Sequence, residues 1–306
     1  MKKATFLAAL AVMTGLFILT SCEKDNEEMT SVKDMTIAEY VSYDPNFSIL
    51  LQALYKADLA NVMQGEGNFT VFAPTNAAFS TLFSQLGVSG VADLSKETLT
   101  PILLYHVLGE EKKSASLSDS YLNSLSPAQN SYASMRISTA GGVKINKETN
   151  VVAADVDVKN GVIHAIDKVL LPPTVVDIAL ANESFSILVQ AVVKAGLAET
   201  LSGTGPFTIF APTNAAFEEL FGKLGVSGIN DLTAEQLIPV LTYHVVSGNV
   251  RSNQLSAGPV ATLNGNIEVR LNPSPSINNT SNIVATDVQG SNGVIHVIDE
   301  VLLPAE

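Results

Sequence analysis

The sequence predicts an α+β protein built from two tandem copies of one module, each with its helices first and a mainly antiparallel sheet after them. Three observations carry this expectation. Long segments recur at a fixed spacing. The early part of each copy sets apolar residues at helical intervals behind capping residues, and the late part alternates with a period of two, broken by tight turns.

The repeat comes first. Phe69-Thr-Val-Phe-Ala-Pro-Thr-Asn-Ala-Ala-Phe79 returns at Phe207 to Phe217 with one change, Val71 to Ile209, a spacing of 138 residues. Phe47 to Leu50, Leu86 to Gly90 and Tyr105-His106 return at that same spacing, as Phe185 to Leu188, Leu224 to Gly228 and Tyr243-His244. Asn160-Gly-Val-Ile-His164 and the residues up to Pro172 return at Asn292 to Pro304, now 132 apart, so six residues are lost between the motifs. The loss falls within 109–149 of the first copy, where Ser, Asn and Gly are frequent, as expected of an exposed loop. Each copy is long enough to close its own core, which separates tandem domains at 34–173 and 174–306 from stacked solenoid units. Only Pro172 and Pro173 stand between the end of one copy and Thr174, so the junction should limit motion between the modules.

Within a module, Phe69-Thr-Val-Phe-Ala is β-branched or aromatic on both faces and predicts a strand with little exposed side, closed by Pro74. Thr75 and Asn76 offer oxygens to cap a helix whose Phe79, Leu82, Phe83 and Leu86 follow at i, i+3, i+4 and i+7, and Gly87 stops it. A second helix starts at Ser95 and carries Leu99, Ile102, Leu103 and His106; in the other copy Thr233 and Gln236 have the spacing of a capping box. Pro101 and Pro239 are expected to interrupt these helices near their starts. Later, Gly141-Gly142, Asn264-Gly265, Asn160-Gly161 and Asn292-Gly293 predict tight turns between antiparallel strands through residues at positive φ.

The first residues have a different character. Lys2 and Lys3 precede an apolar-to-small run from Ala4 to Thr20, short of the roughly 20 apolar residues a spanning helix needs, which reads as a cleavable export signal over 1–21. Leu19-Thr-Ser-Cys22 resembles the lipobox of bacterial lipoproteins, and this resemblance implies a diacylglycerol on the Cys22 thiol and a membrane-anchored mature protein. Cys22 is the single cysteine, so no disulfide is available to an exported chain and packing must stabilise it. Residues 22–33, in which Cys22 is followed by Glu23, Lys24, Asp25, Asn26, Glu27 and Glu28, predict a flexible acidic tether. The run reads either as a solvated spacer or as the surface-export signal of some Bacteroidetes lipoproteins, so the expected place is the outer membrane, facing the cell surface or the periplasm.

Charge and motif content then narrow the function. The chain has 17 Lys and Arg against 30 Asp and Glu, and loss of Lys2 and Lys3 would leave 15 against 30, a formal −15 that repels nucleic acid. All four histidines sit in the repeated motifs. His164 alternates with Val162 and Ile166, His296 with Val294 and Ile298, and His106 follows Ile102 and Leu103, so each is expected as a core histidine donating one hydrogen bond. Each copy lacks a third metal ligand at a convincing spacing, so neither a metal nor another cofactor is expected. No Gly-x-Ser-x-Gly elbow is present. Asp155 and Asp157 would share a strand face as an acid–base pair, yet Gln289 stands where Asp157 would recur, which argues against chemistry common to both copies.

The strand with Pro-Thr-Asn-Ala-Ala-Phe, then Tyr-His, then Asn-Gly-Val-Ile-His, twice in that order, resembles the fasciclin domain. That resemblance implies a compact module of N-terminal helices packed on an antiparallel sheet or wedge, found in extracellular adhesion and matrix-binding proteins and usually without catalysis. It also implies candidate binding residues: the Tyr-His pairs, Tyr105 with His106 and Tyr243 with His244, and an Asp-Ile pair before the Asn-Gly turn. Here the latter reads Asp155-Val156 and Asp287-Val288, with valine in place of isoleucine. The expected function is therefore a cell-envelope lipoprotein that binds an extracellular protein or polysaccharide. The alternative is an envelope carrier holding a small apolar ligand between helices and sheet.

Overall fold

The structure is a computed structural model that describes residues 31–304. The signal segment and Cys22 lie outside the described residues. Val32–Asp34 forms a 3-10 turn, Val32 packs against the core of the first module, and the Lys159 amide donates to the Met35 carbonyl at 2.7 Å. Residues 32 and 33, assigned above to the tether, thus belong to the folded body, because one apolar side chain in a polar stretch finds a place on the core.

Module one opens with α1 (Ile37–Tyr43), α2 (Ser48–Lys56) and α3 (Ala60–Gln64), continues through β1 (Phe69–Pro74), α4 (Asn76–Leu86), α5 (Lys96–Tyr105) and β2 (Val107–Leu108), and ends in β3 (Ser120–Ala128), β4 (Ser131–Ser138), β5 (Lys144–Ile145), β6 (Thr149–Val158) and β7 (Gly161–Ile166). Module two repeats the order with α6 (Val175–Leu180), α7 (Ser186–Lys194), α8 (Ala198–Ser202), β8 (Phe207–Pro212), α9 (Asn214–Leu224), α10 (Ala234–Tyr243) and β9 (Val245–Ser247). Its closing strands are β10 (Gly258–Thr262), β11 (Gly265–Arg270), β12 (Ser276–Ile277), β13 (Ser281–Gly290) and β14 (Gly293–Ile298). The class is α+β, as the sequence predicts.

Each module has one seven-stranded sheet, in the order β2-β1-β7-β6-β5-β4-β3 and β9-β8-β14-β13-β12-β11-β10. Every pairing is antiparallel except β1 with β7 and β8 with β14, which are parallel. Thr149 and Asn150 of β6 pair with β5, while the rest of β6 pairs with β7. Phe72 and Ile166, from β1 and β7, share one core with Met135, Ile137 and Ile145, from β4 and β5, so the sheet folds back on itself at β6 into a wedge. Val71, Ala73 and Ile163 point the other way, into a core shared with Ile37, Leu50 and Phe79 of the helices. β1 is therefore buried on both faces, which accounts for its unbroken apolar run.

Three local expectations change. Leu86 and Leu224 are 49% and 52% exposed, because the last residue of each helix outruns the core before the left-handed glycine turns the chain. The helices α5 and α10 run through Pro101 and Pro239 unbroken. Pro101 cannot donate to the Glu97 carbonyl, but Glu97 lies on the exposed first turn, where water can satisfy it. At Asn160-Gly161 the pairing of Val158 with Gly161 makes Lys159 and Asn160 the turn. Gly161 is needed for a different reason. Its φ is 149°, and a Cβ there would lie 2.0 Å from the Phe69 carbonyl oxygen on the parallel neighbour. Gly293 meets Phe207 at 2.2 Å in the same way.

The short junction is reinforced by direct contact between modules. The Gln289 amide of β13 donates to Ser134 Oγ of β4 at 3.0 Å, Gln129 Nε2 to the Ser291 carbonyl at 3.0 Å, and Asn182 Nδ2 to the Tyr121 hydroxyl at 3.0 Å. Tyr121 belongs to β3 but packs on the helix–sheet core of module two, beneath the Arg136 guanidinium at 5.4 Å.

Gly161→Ala and Gly293→Ala should each lower unfolding stability by more than about 2 kcal/mol, since a clash with backbone cannot be relieved by a rotamer change. Gly87→Ala, which has positive φ but open space around it, should cost only about 1 kcal/mol. Urea denaturation of the three variants checks this ranking.

Candidate functional site

The Tyr-His pair ends α5. Tyr105 is fully buried; its hydroxyl donates to the Ser134 carbonyl and accepts from Asn146 Nδ2, both at 2.9 Å. Burial pushes its phenol well above the usual range. Tyr243 repeats the arrangement with the Asn266 carbonyl at 2.8 Å and Asn278 Nδ2 at 3.1 Å. Each tyrosine thereby pins α5 or α10 to the far half of the folded sheet.

His106 closes the helix. Its own amide turns to the Leu103 carbonyl at 3.1 Å, and the ring Nδ1 takes over the Ile102 carbonyl at 2.8 Å. Nε2 faces the Leu170 amide at 2.8 Å, and an amide can only donate, so Nε2 accepts and the ring proton sits on Nδ1. His244 is wired identically to the Val240 carbonyl and the Leu302 amide. Burial drives both imidazoles down to about 4.

His164 and His296 carry the opposite tautomer. His164 Nδ1 accepts from the Asp155 amide at 3.2 Å and Nε2 donates to the Lys112 carbonyl at 2.8 Å, while the ring stacks on Phe72. His296 does the same with Asp287, Val250 and Phe210, and burial lowers its pKa. Each ring thus donates one hydrogen bond, as expected, and accepts a second from a main-chain amide, since a ring enclosed on all sides has to satisfy both nitrogens.

The Asp-Val pairs lie on a β-bulge. Ala153 pairs with Ala165 and Val156 with Ile163, so Ala154 and Asp155 together oppose His164, and Asp155 adopts φ of 61°. This conformation turns the Asp155 amide toward the imidazole. Its carboxylate accepts from the Ser114 amide at 2.7 Å and from the Ser114 hydroxyl. Partial burial opposes ionisation, but the Ser114 bonds outweigh it and hold this carboxyl below the usual range. Asp287 repeats the geometry with φ of 63°, the Ser252 amide at 2.8 Å and hydroxyl at 2.5 Å, and Arg251 at 3.6 Å. Val156 and Val288 turn inward onto the helix–sheet cores.

Serine, aspartate and histidine thus meet in each module, but they are not wired for catalysis. The hydroxyl donates to the carboxylate, and both ring nitrogens bond main chain, so no nitrogen is available to accept a proton from a nucleophile. Asp157 has its own partners, Lys113 at 2.9 Å and Lys33 at 3.8 Å, and does not share a proton with Asp155. Gln289 replaces it for a packing reason: the position is 1% exposed at the contact between modules, where a carboxylate would lose its solvent. Among the described residues no group of three or more His, Cys, Asp or Glu is placed to hold a metal, and no helix is long and apolar enough to cross a membrane.

Other motif residues prove more consequential than their sequence positions suggest. Thr75 is the cap of α4, while Asn76 reaches back to α2, which has no side-chain cap of its own. Asn76 Oδ1 accepts from the Ile49 amide at 2.9 Å and Nδ2 donates to the Pro45 carbonyl at 2.9 Å. Asn160 Oδ1 accepts from the Ile37 amide, and its Nδ2 donates to the Met63 and Gly65 carbonyls, all within 2.9 Å. Their recurrence as Asn214 and Asn292 was the one available signal of these roles.

Tyr105→Phe and Tyr243→Phe leave buried partners unpaired and should each cost about 1–3 kcal/mol in thermal unfolding. The depressed histidines make stability depend on pH. Between about 4 and 6.5 the unfolded imidazole is protonated and the folded one is not, so the unfolded state holds more protons and stability falls on acidification. The loss should reach about 3 kcal/mol per module by pH 4. Urea midpoints across that range check it, and His106→Gln with His244→Gln should flatten the slope.

The geometry agrees with comparison to known proteins. Residues 45–172 and 183–304 each match the fasciclin domain. Protein sll1483 of Synechocystis is 44% identical over 132 residues, 43% of this chain and 73% of that protein. Transforming growth factor-beta-induced protein ig-h3 of Sus scrofa is 33% identical over 79% of this chain, and human periostin 28% identical over 89%. The chain spans 35% and 31% of the lengths of those two proteins. A solved FAS1 domain pair from the insect cell adhesion molecule fasciclin I aligns over 87% of this chain and 96% of its own, with 18% identity and a TM-score of 0.47. The chain belongs to the fasciclin domain family.

Proposed function

We propose that this protein is a cell-envelope lipoprotein, anchored through Cys22, whose paired fasciclin modules act as one body to bind an extracellular protein or polysaccharide. The observation that carries the proposal is the assignment of Tyr105, His106, Tyr243 and His244 to the core, with every polar atom of their side chains bonded inside. Recognition then falls to outward-facing groups. Tyr43, Tyr55 and Tyr132 of module one are 68%, 62% and 52% exposed, and a phenol ring suits both a sugar face and a protein surface. The carboxylates of Asp155 and Asp287, each held by a serine, stand at the same edge in both modules.

The test has two arms. Full chain, assayed against matrix proteins, glycans and whole cells, should bind one class saturably. Tyr43→Ala with Tyr55→Ala should weaken that binding at least tenfold, while Tyr105→Phe leaves it unchanged. Absence of saturable binding to all three removes the adhesion reading. Separately, Cys22→Ala should leave the membrane fraction, and a variant that still partitions with membranes removes the lipid anchor.

A further inference from the structure

The two modules are near copies, yet their helix–sheet cores are not equally full. Module two holds a cavity of about 110 Å³ enclosed by α6, α7, α8 and the β8–β14 pair. The corresponding space in module one is about 10 Å³. Side-chain size explains the difference. Where module one has Val41, Leu54 and Met63, module two has Ala179, Val192 and Leu201. Three changes run the other way, Val71 to Ile209, Ala38 to Val176 and Ser42 to Leu180 at the exposed lip, without closing the gap.

We infer that this cavity is a binding site for a hydrocarbon group about the size of a benzene ring, either a small apolar molecule or the tip of an alkyl chain. An empty apolar cavity forfeits packing in proportion to its volume, so retaining one in a repeated fold is a stability cost. His244 is the single polar side chain of the lining, and both its nitrogens are already bonded. A polar ligand would have to give up its water there without a partner, whereas a hydrocarbon would not. Cavities of comparable volume and lining, about 150 Å³, stay dry and take up benzene. The entrance suits the same occupant: Leu180 and Val193, which line the cavity, are 49% and 62% exposed and form an apolar lip between α6 and α7.

The experiment titrates the full chain with benzene and, separately, with decan-1-ol, reading methyl resonances of valine and leucine by NMR and the melting temperature. Saturable shifts at Val192 and Leu201 but not at Leu54, with a raised melting temperature, support the site. Benzene alone identifies a compact ligand; decan-1-ol as well identifies a chain tip. Ala179→Val with Val192→Leu restores the side chains of module one and should abolish both responses without lowering stability. Should that variant fail to fold, the reverse pair Val41→Ala with Leu54→Val should open a second benzene site in module one. No saturable shift with either probe, or equal shifts in the filled variant, overturns the inference.

Discussion

The parallel pairing of β1 with β7, and of β8 with β14, is the constraint around which each module is arranged. These strands are covered by helices on one face and by the folded-back half of the sheet on the other, so no polar group along them can turn to water. The repeated motifs solve that problem position by position. Thr70 Oγ1 donates to the Glu110 carbonyl and accepts from the Lys112 amide, both at 2.7 Å. The Phe72 amide donates to the His106 carbonyl, and the His164 ring crosses to the Lys112 carbonyl. Gly161 allows the two backbones to approach, and Asn160 beside it gathers the ends of α1 and α3. The residues that repeat most faithfully are those that let an unusually enclosed strand pair exist.

Where the copies differ, the difference follows from what surrounds each one. The outer edge of β6 in module one meets solvent and the 3-10 turn before α1, and Asp157 is paired there with two lysines. The same edge of module two meets β4, and a glutamine takes the place of the acid. The six-residue contraction falls between α10 and β13, where module one has the longer β3 that carries Tyr121 onto its neighbour. Divergence in loop length thus accompanies the presence or absence of a contact between modules.

Much of this was legible from residues alone. The duplication, the cap at Thr75, the two-sided burial of Phe69 to Ala73 and the inward direction of all four histidines follow from spacing. What spacing does not encode is partnership across the chain. That Asn76 serves α2 and not its own helix depends on a contact 27 residues upstream. The bulge at Asp155 breaks the alternation from which one face was assigned to Asp155 and Asp157, and the sequence has no glycine there to announce it. The Asp155-Val156 pair, singled out by resemblance, therefore has two destinations, one residue held at the surface by Ser114 and one packed inward.

The imidazole of His106 also bears on how the protein would respond to a pull. Its Nε2 holds the Leu170 amide, the Pro173 carbonyl receives the Ser291 amide, and Thr174 caps α6 immediately afterward. The connector between modules consequently contains no slack. Tension applied across the pair would load a bond buried in one module and a bond on the other at once, before any length of chain could pay out. Such a connection is stiff at small extension and has few intermediate lengths, so the far module would follow the near one as if on a rod and not on a leash.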